Sequence, residues 1–227
     1  MIPLPDAKYA TVVIDPPWPS AGFPKSTWVH GPAAGCCRGG TCGVGHWCHK
    51  LAAHEDFDYP LMSCEELAHL DIPALLRPDA FVFLWTINRF VRPAFDLLDT
   101  WGLEYMCVMA WVKPHGPKPV GYPIYNMEPI IVGRQGRPKF LDTKDFRTAN
   151  LWDAPRNPNA APGAWGRQIA NCTKPDGLYN LLRRVTPAPR LDMFARRRID
   201  GFDAWGNQVP DETEACLLYT SPSPRDS

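Results

Sequence analysis

The sequence has no apolar run near the roughly 18 to 20 residues that would span a bilayer, and its first ten residues lack the charged, apolar and small-residue pattern of a signal peptide. A soluble, cytoplasmic protein with no membrane partner is the expectation. Net charge is missing too: 24 Lys and Arg are balanced by 24 Asp and Glu. General attraction to polyanions is therefore not indicated, and any contact with nucleic acid needs a local patch. One candidate patch is Arg183, Arg184, Arg190, Arg196, Arg197 and Arg198, opposed within that window only by Asp192. It reads either as a phosphate-binding surface or as a solvated basic face. There is no internal repeat, and 227 residues with 45% hydrophobic content suit one α/β domain with a substantial core.

Strand-like runs alternate with helical ones. YATVVI (9–14), AFVFLWT (80–86), YMCVMAWV (105–112), PIIV (129–132) and 190–194 read as strands, being short, apolar and rich in β-branched and aromatic residues. Ser63 with Glu66 forms a capping-box signal for a helix running to about 70 or 76, with Pro73 as a break. A second helical segment opens at Asn88 and stops at Gly102, and a third covers 176–185. This alternation predicts a mostly parallel sheet with helices on both faces, whose ligands sit at the carboxyl ends of the strands. Residues 1–215 are expected to form a single domain, with a Cys/His-rich insertion over 30–58. The segment CLLYTSPSPRDS (216–227) shares no pattern with what precedes it and resembles translated sequencing-adapter read-through, so it is set apart as a non-native tail.

The first strand ends in DPPW, residues 15–18. Two prolines fix the backbone, hold Asp15 extended and present carbonyls beside a carboxylate. Such acceptors suit an exocyclic aromatic amine, whose lone pair is delocalised into its ring; gripping its hydrogens favours the more nucleophilic, pyramidal nitrogen. Trp18 offers a face for an extruded base. A methyl group from a sulfonium donor would then be displaced directly, which mainly needs alignment.

DPPW after a buried strand, together with FVFLWT (81–86), WVK (111–113), MEPIIVGRQG (127–136), TKPDGLYNLLRRV (173–185), RLDMFAR (190–196) and WGNQV (205–209), resembles the MT-A70 family of N6-adenine methyltransferases. The resemblance implies a Rossmann-like methyltransferase sheet in which the catalytic turn precedes the donor-binding segment. It implies Asp15, Pro16, Pro17 and Trp18 as the catalytic turn. Asp15, Lys174, Asp192, Phe194, Arg196, Asn207 and Gln208 would hold S-adenosylmethionine, with Asp192 placed to accept from the ribose hydroxyls. Trp18, Glu128 and Lys113 would meet the target base. Ala195 stands where the family usually has glycine, and Arg198 with Ile199 replaces a polar pair. The expected reaction is methyl transfer to adenine N6 in DNA, in a bacterial or phage setting, with RNA as the alternative substrate and a non-catalytic nucleic-acid-binding partner as a third reading. The chain would act alone or as a homo- or hetero-oligomer.

Between Gly35 and Lys50, Cys36, Cys37, Cys42, His46, Cys48 and His49 crowd together. In a cytosolic chain that density favours metal over disulfide. Cys37, Cys42, His46 and Cys48 would give zinc four ligands, while reduced thiols in a loop remain an equal alternative and a disulfide a lesser one. Following the catalytic turn, this loop is a candidate recognition or gating element, with His30, Trp47 and His54 as possible lining residues.

Overall fold

A computed structural model of the chain describes residues 3–19, 60–112, 123, 126–144, 146–150 and 174–209. The cysteine-histidine cluster, Lys113 and the C-terminal tail lie outside these residues. The described residues build one seven-stranded sheet in the order β5-β3-β4-β2-β1-β6-β7. Its strands are β1 (Tyr9–Ile14), β2 (Leu76–Trp85), β3 (Glu104–Val112), β4 (Met127–Gln135), β5 (Ala149–Asn150), β6 (Arg190–Met193) and β7 (Asp203–Trp205). β1 runs parallel to β2 and β6, β6 to β7 and β3 to β5, while β4 is antiparallel to both β2 and β3. The expectation of a mostly parallel sheet therefore holds, with β4 as the reversed strand.

Alternation along the central strands divides the core in two. Val12, Ile14, Val82, Leu84 and Ile131 point to one face, where they meet Leu67 of α1 (Cys64–Ala68) and Ala94, Leu97 and Leu98 of α2 (Val91–Thr100). Val13, Phe81, Phe83, Trp85, Ile130 and Val132 point to the other and meet Leu178, Tyr179, Leu182 and Val185 of α3 (Asp176–Val185). The spacing 178, 179, 182, 185 is one helical face, so α3 is held by its apolar stripe. Helices thus cover both faces, as the α/β reading requires.

Local signals locate the helix ends. Ser63 and Glu66 make the reciprocal capping box, with Glu66 N–H donating to Ser63 Oγ at 3.1 Å and Ser63 N–H to Glu66 Oε2 at 2.7 Å. α1 is shorter than the sequence suggests, and a 3-10 turn at Pro73–Leu75 follows, because proline cannot donate into a continuing helix. Gly102 has φ +66 just past α2, the left-handed stop that its position implies. Two strands escape the sequence reading. β5 has two residues in a polar, proline-rich stretch, and β7 has three, both too short for a periodic signal. No helix among the described residues is long and apolar enough to cross a membrane.

Candidate active site

The site lies where the parallel strands end. β1 delivers Asp15, and β2, paired Ile14 to Leu84, delivers Trp85 at the same level. Because β4 runs the other way, its beginning meets their ends: Ile130 pairs with Trp85, and Glu128 pairs with Trp111 of β3. Reversal of one strand is what brings an acid from the middle of the chain beside Asp15.

Lys174, just before α3, joins these acids. Its Nζ lies 3.2 Å from Asp15 Oδ1 and 3.1 Å from Glu128 Oε2, and 4.4 Å from the centroid of the Trp85 ring. The side chains of Lys174, Asp15 and Glu128 are only 12%, 17% and 12% exposed. Lys174 and Glu128 are therefore not surface charges, the plainer reading of either residue in the sequence. Burial pulls the Lys174 ammonium down, yet Asp15 and Glu128 outweigh it and hold the group above its ordinary value. Burial raises the Asp15 carboxyl; Lys174 and Arg196 oppose that rise, and Glu128 adds to it. One ammonium is shared by the two carboxylates, with Arg196 adding positive charge toward Asp15.

DPPW forms a tight turn. Trp18 N–H donates to Pro16 O at 2.8 Å, and Met62 N–H donates to Pro17 O at 2.9 Å. Each proline carbonyl thus has one backbone partner and keeps a second lone pair. The Trp18 indole N–H donates to the Trp85 carbonyl at 3.1 Å. Its ring lies parallel to Phe90, 8° off and 5.1 Å between centroids, and packs against the α1 and α2 core. One face of Trp18 is thereby covered by Phe90.

A cleft runs from Asp15 and Lys174 past Asp192, Tyr179, Phe194 and Arg196. Asp192, on β6, is 4% exposed, and Tyr179 Oη lies 3.2 Å from both of its carboxylate oxygens. A single phenolic proton shared by two oxygens leaves Asp192 with acceptor capacity toward the cleft. Burial, then repulsion from Asp15, pushes the Asp192 carboxyl up to about 7, with Tyr179, Arg197 and Lys174 opposing. Burial, Asp192 and Asp15 in turn hold the Tyr179 phenol well above its usual range, so it remains a donor. Phe194 carries φ +60, left-handed for a non-glycine residue, and its ring packs edge-on against Trp205 at 5.2 Å. Gly206 allows that turn: a Cβ there would stand 2.3 Å from Ala195 O and 2.8 Å from Ala195 N. Asn207, exposed, and Gln208, partly buried, follow β7 in the next turn and do not line the cleft.

The arginine patch divides on folding. Arg183 pairs with Asp200 at 3.0 Å, and Arg197 pairs with Asp176. Arg190 donates to the carbonyls of Arg183 and Thr186 at the end of α3 and lies 5.9 Å over the Phe202 ring. Counting opposing charge only between 183 and 198 missed Asp176 and Asp200, which flank that window in sequence and meet it in space. Sequence reasoning also missed Trp85 and Tyr179 as parts of the site. Both lie in quoted segments, but a buried aromatic reads as core until its polar atom is seen to find a partner. Among the described residues no group of three or more His, Cys, Asp or Glu could hold a metal ion. The zinc candidates Cys37, Cys42, His46 and Cys48 lie outside those residues.

The cleft sets acids and bases side by side: Asp15 and Asp192 have acceptor capacity for an amino group and for hydroxyls, and Lys174, Arg196 and Arg197 carry positive charge beside them. Comparison with known proteins agrees. The MT-A70 family model matches residues 45–208. A type II methyltransferase, M.MunI of a Mycoplasma species, is 26% identical over 92% of this chain and 81% of its own length. The human N(6)-adenosine-methyltransferase catalytic subunit METTL3 is 25% identical over 63% of this chain, and the N6-methyladenosine RNA methyltransferase MTA1 of Pyricularia oryzae 24% over 88%. Against these two the chain spans only 23% and 47% of the relative's length. A buried Asp-Lys-Glu cluster behind DPPW and a family match over most of the sequence lead to one conclusion: the chain belongs to the MT-A70 family of S-adenosylmethionine-dependent adenine-N6 methyltransferases.

Proposed function

We propose that this chain methylates adenine N6 in DNA, using Asp15 and the DPPW carbonyls to grip the amino group. The observation that carries the site is the buried cluster of Asp15, Glu128 and Lys174 at the strand ends. S-adenosylmethionine supplies an electrophilic methyl group when bound. Asp15 and the free lone pair of a proline carbonyl accept the two N6 hydrogens, which localises the nitrogen lone pair and orients it. Lys174 keeps Asp15 and Glu128 in place and limits their mutual repulsion. The face of Trp18 turned away from Phe90 takes the base, with Phe90 bracing the other. Lys113 and Glu128 are assigned to the base, and the cleft-lining Lys174, Asp192, Phe194 and Arg196 to the donor.

DNA is favoured over RNA because M.MunI matches this chain along most of both lengths, whereas the relatives named for adenosine or RNA match over a smaller share of theirs. A zinc ion on Cys37, Cys42, His46 and Cys48 is a separable part of this reading, tested by elemental analysis of the purified protein. The function itself is tested by incubating the protein with S-adenosylmethionine and matched single- and double-stranded DNA and RNA, with N6-methyladenine read by nucleoside mass spectrometry. Product on DNA supports the proposal. Product on RNA alone replaces the substrate and keeps the site.

A further inference from the structure

Trp85 makes contact with three separate parts of the site at once. It closes β2, is 1% exposed, and directs its indole N–H to Glu128 Oε2 at 2.6 Å. Its ring face lies beneath the Lys174 ammonium at 4.4 Å, and its backbone carbonyl accepts from the Trp18 indole at 3.1 Å. Trp111 braces the ring edge-on, 5.8 Å between centroids and 75° between planes. Burial alone asks only for an apolar side chain here. It does not ask for an N–H aimed at a carboxylate, which phenylalanine or leucine would lack.

We infer that Trp85 is a positioning residue for methyl transfer, holding Glu128 through its N–H and Lys174 through its ring face. The inference rests on the reading of Asp15, Glu128 and Lys174 as the transfer site. Glu128 Oε2 receives both the indole N–H and the Lys174 ammonium. Two donors on one oxygen fix the carboxylate's rotation, and the fixed carboxylate in turn fixes the ammonium that reaches Asp15. The cation also sits over the negative face of the indole, a second restraint that needs no hydrogen bond. Trp85 thus sets the placement of Asp15's counter-ion without touching the reacting atoms.

The test compares Trp85→Phe, which keeps a ring face and loses the N–H, with Trp85→Leu, which loses both, each alone and in a Glu128→Gln background. In the wild-type background kcat is expected to fall about 10- to 100-fold for Trp85→Phe and further for Trp85→Leu, while the donor KM stays within about threefold. On Glu128→Gln, where the charged acceptor is gone, Trp85→Phe is expected to cost less than about threefold. A Trp85→Phe loss that is absent, or that adds in full to Glu128→Gln, overturns the inference. Melting temperature gives a readout that needs no activity. The deficit of Trp85→Phe is expected to be smaller in the Glu128→Gln background, where the charged acceptor is gone, than in the wild-type background. A deficit equal in both backgrounds assigns Trp85 to packing alone and overturns the positioning role. No transfer by the wild type, with the background-dependent deficit intact, would count against the substrate reading and leave the Trp85 contact standing.

Discussion

The Lys174 ammonium stands 3.2 Å from Asp15 Oδ1, so a residue just ahead of α3 neutralises the residue that follows β1. Neither strand nor helix needs that contact to form. It exists because β1 ends and α3 begins at the same end of the sheet, where burial makes each charge depend on the other.

Lys174→Met is expected to lower stability by about 3 to 5 kcal/mol at pH 8, since it leaves two buried carboxylates with their shared cation removed. Between pH 5 and 8 wild-type Lys174 stays charged, because Asp15 and Glu128 hold it above its ordinary value. In the variant the carboxyls relieve their repulsion by taking up protons, so the deficit shrinks toward pH 5. Chemical denaturation at the two pH values measures it; a deficit independent of pH would show that the ammonium matters only as a packed chain.

Asp15→Ala removes the acceptor assigned to the N6 amino group. Transfer is expected to drop at least about 100-fold, with donor affinity by calorimetry changed far less. A variant with near-wild-type turnover would refute the role of Asp15.

Asp192→Asn separates stability from donor binding. In the folded chain the carboxyl titrates at about 7 against an ordinary value of 3.8. Across that interval the folded state binds more protons than the unfolded one, so stability falls as pH rises from 4 to 7. Asparagine still accepts from Tyr179 and does not ionise. Its melting temperature is expected to exceed that of the wild type at pH 8, by the equivalent of roughly 2 to 4 kcal/mol, and to converge with it at pH 4. Donor affinity is expected to fall about tenfold or more through loss of a charged acceptor. The wild type's own donor affinity rises with pH toward 7, because hydroxyl donors favour the ionised carboxylate.

Gly206→Ala places a methyl group 2.3 Å from the Ala195 carbonyl oxygen. The listener to that clash is backbone, which cannot rotate away as a side chain can. Loss of about 1 to 3 kcal/mol is expected, together with weaker donor binding as the Phe194 turn shifts. Unchanged melting would mean that the two segments separate without cost.

By itself the sequence determined the α/β class, three of the seven strands to within one residue at each end, two more in part, and α3 to the residue, because apolar periodicity and caps are local signals. It also singled out Asp15, Glu128, Lys174 and Asp192, through segments that resemble one family. Only the tertiary structure decided what these residues do to one another. The reversal of β4 sets Glu128 beside Asp15, a pairing that no local pattern encodes. Folding also met Arg183 and Arg197 with Asp200 and Asp176, removing two of the six charges of the apparent basic patch. Trp85 and Tyr179 read as core in sequence, and their polar atoms acquired roles only when the sheet brought Glu128 and Asp192 within hydrogen-bond reach. Secondary structure follows from neighbours along the chain; the charge balance of a buried site follows from neighbours across it.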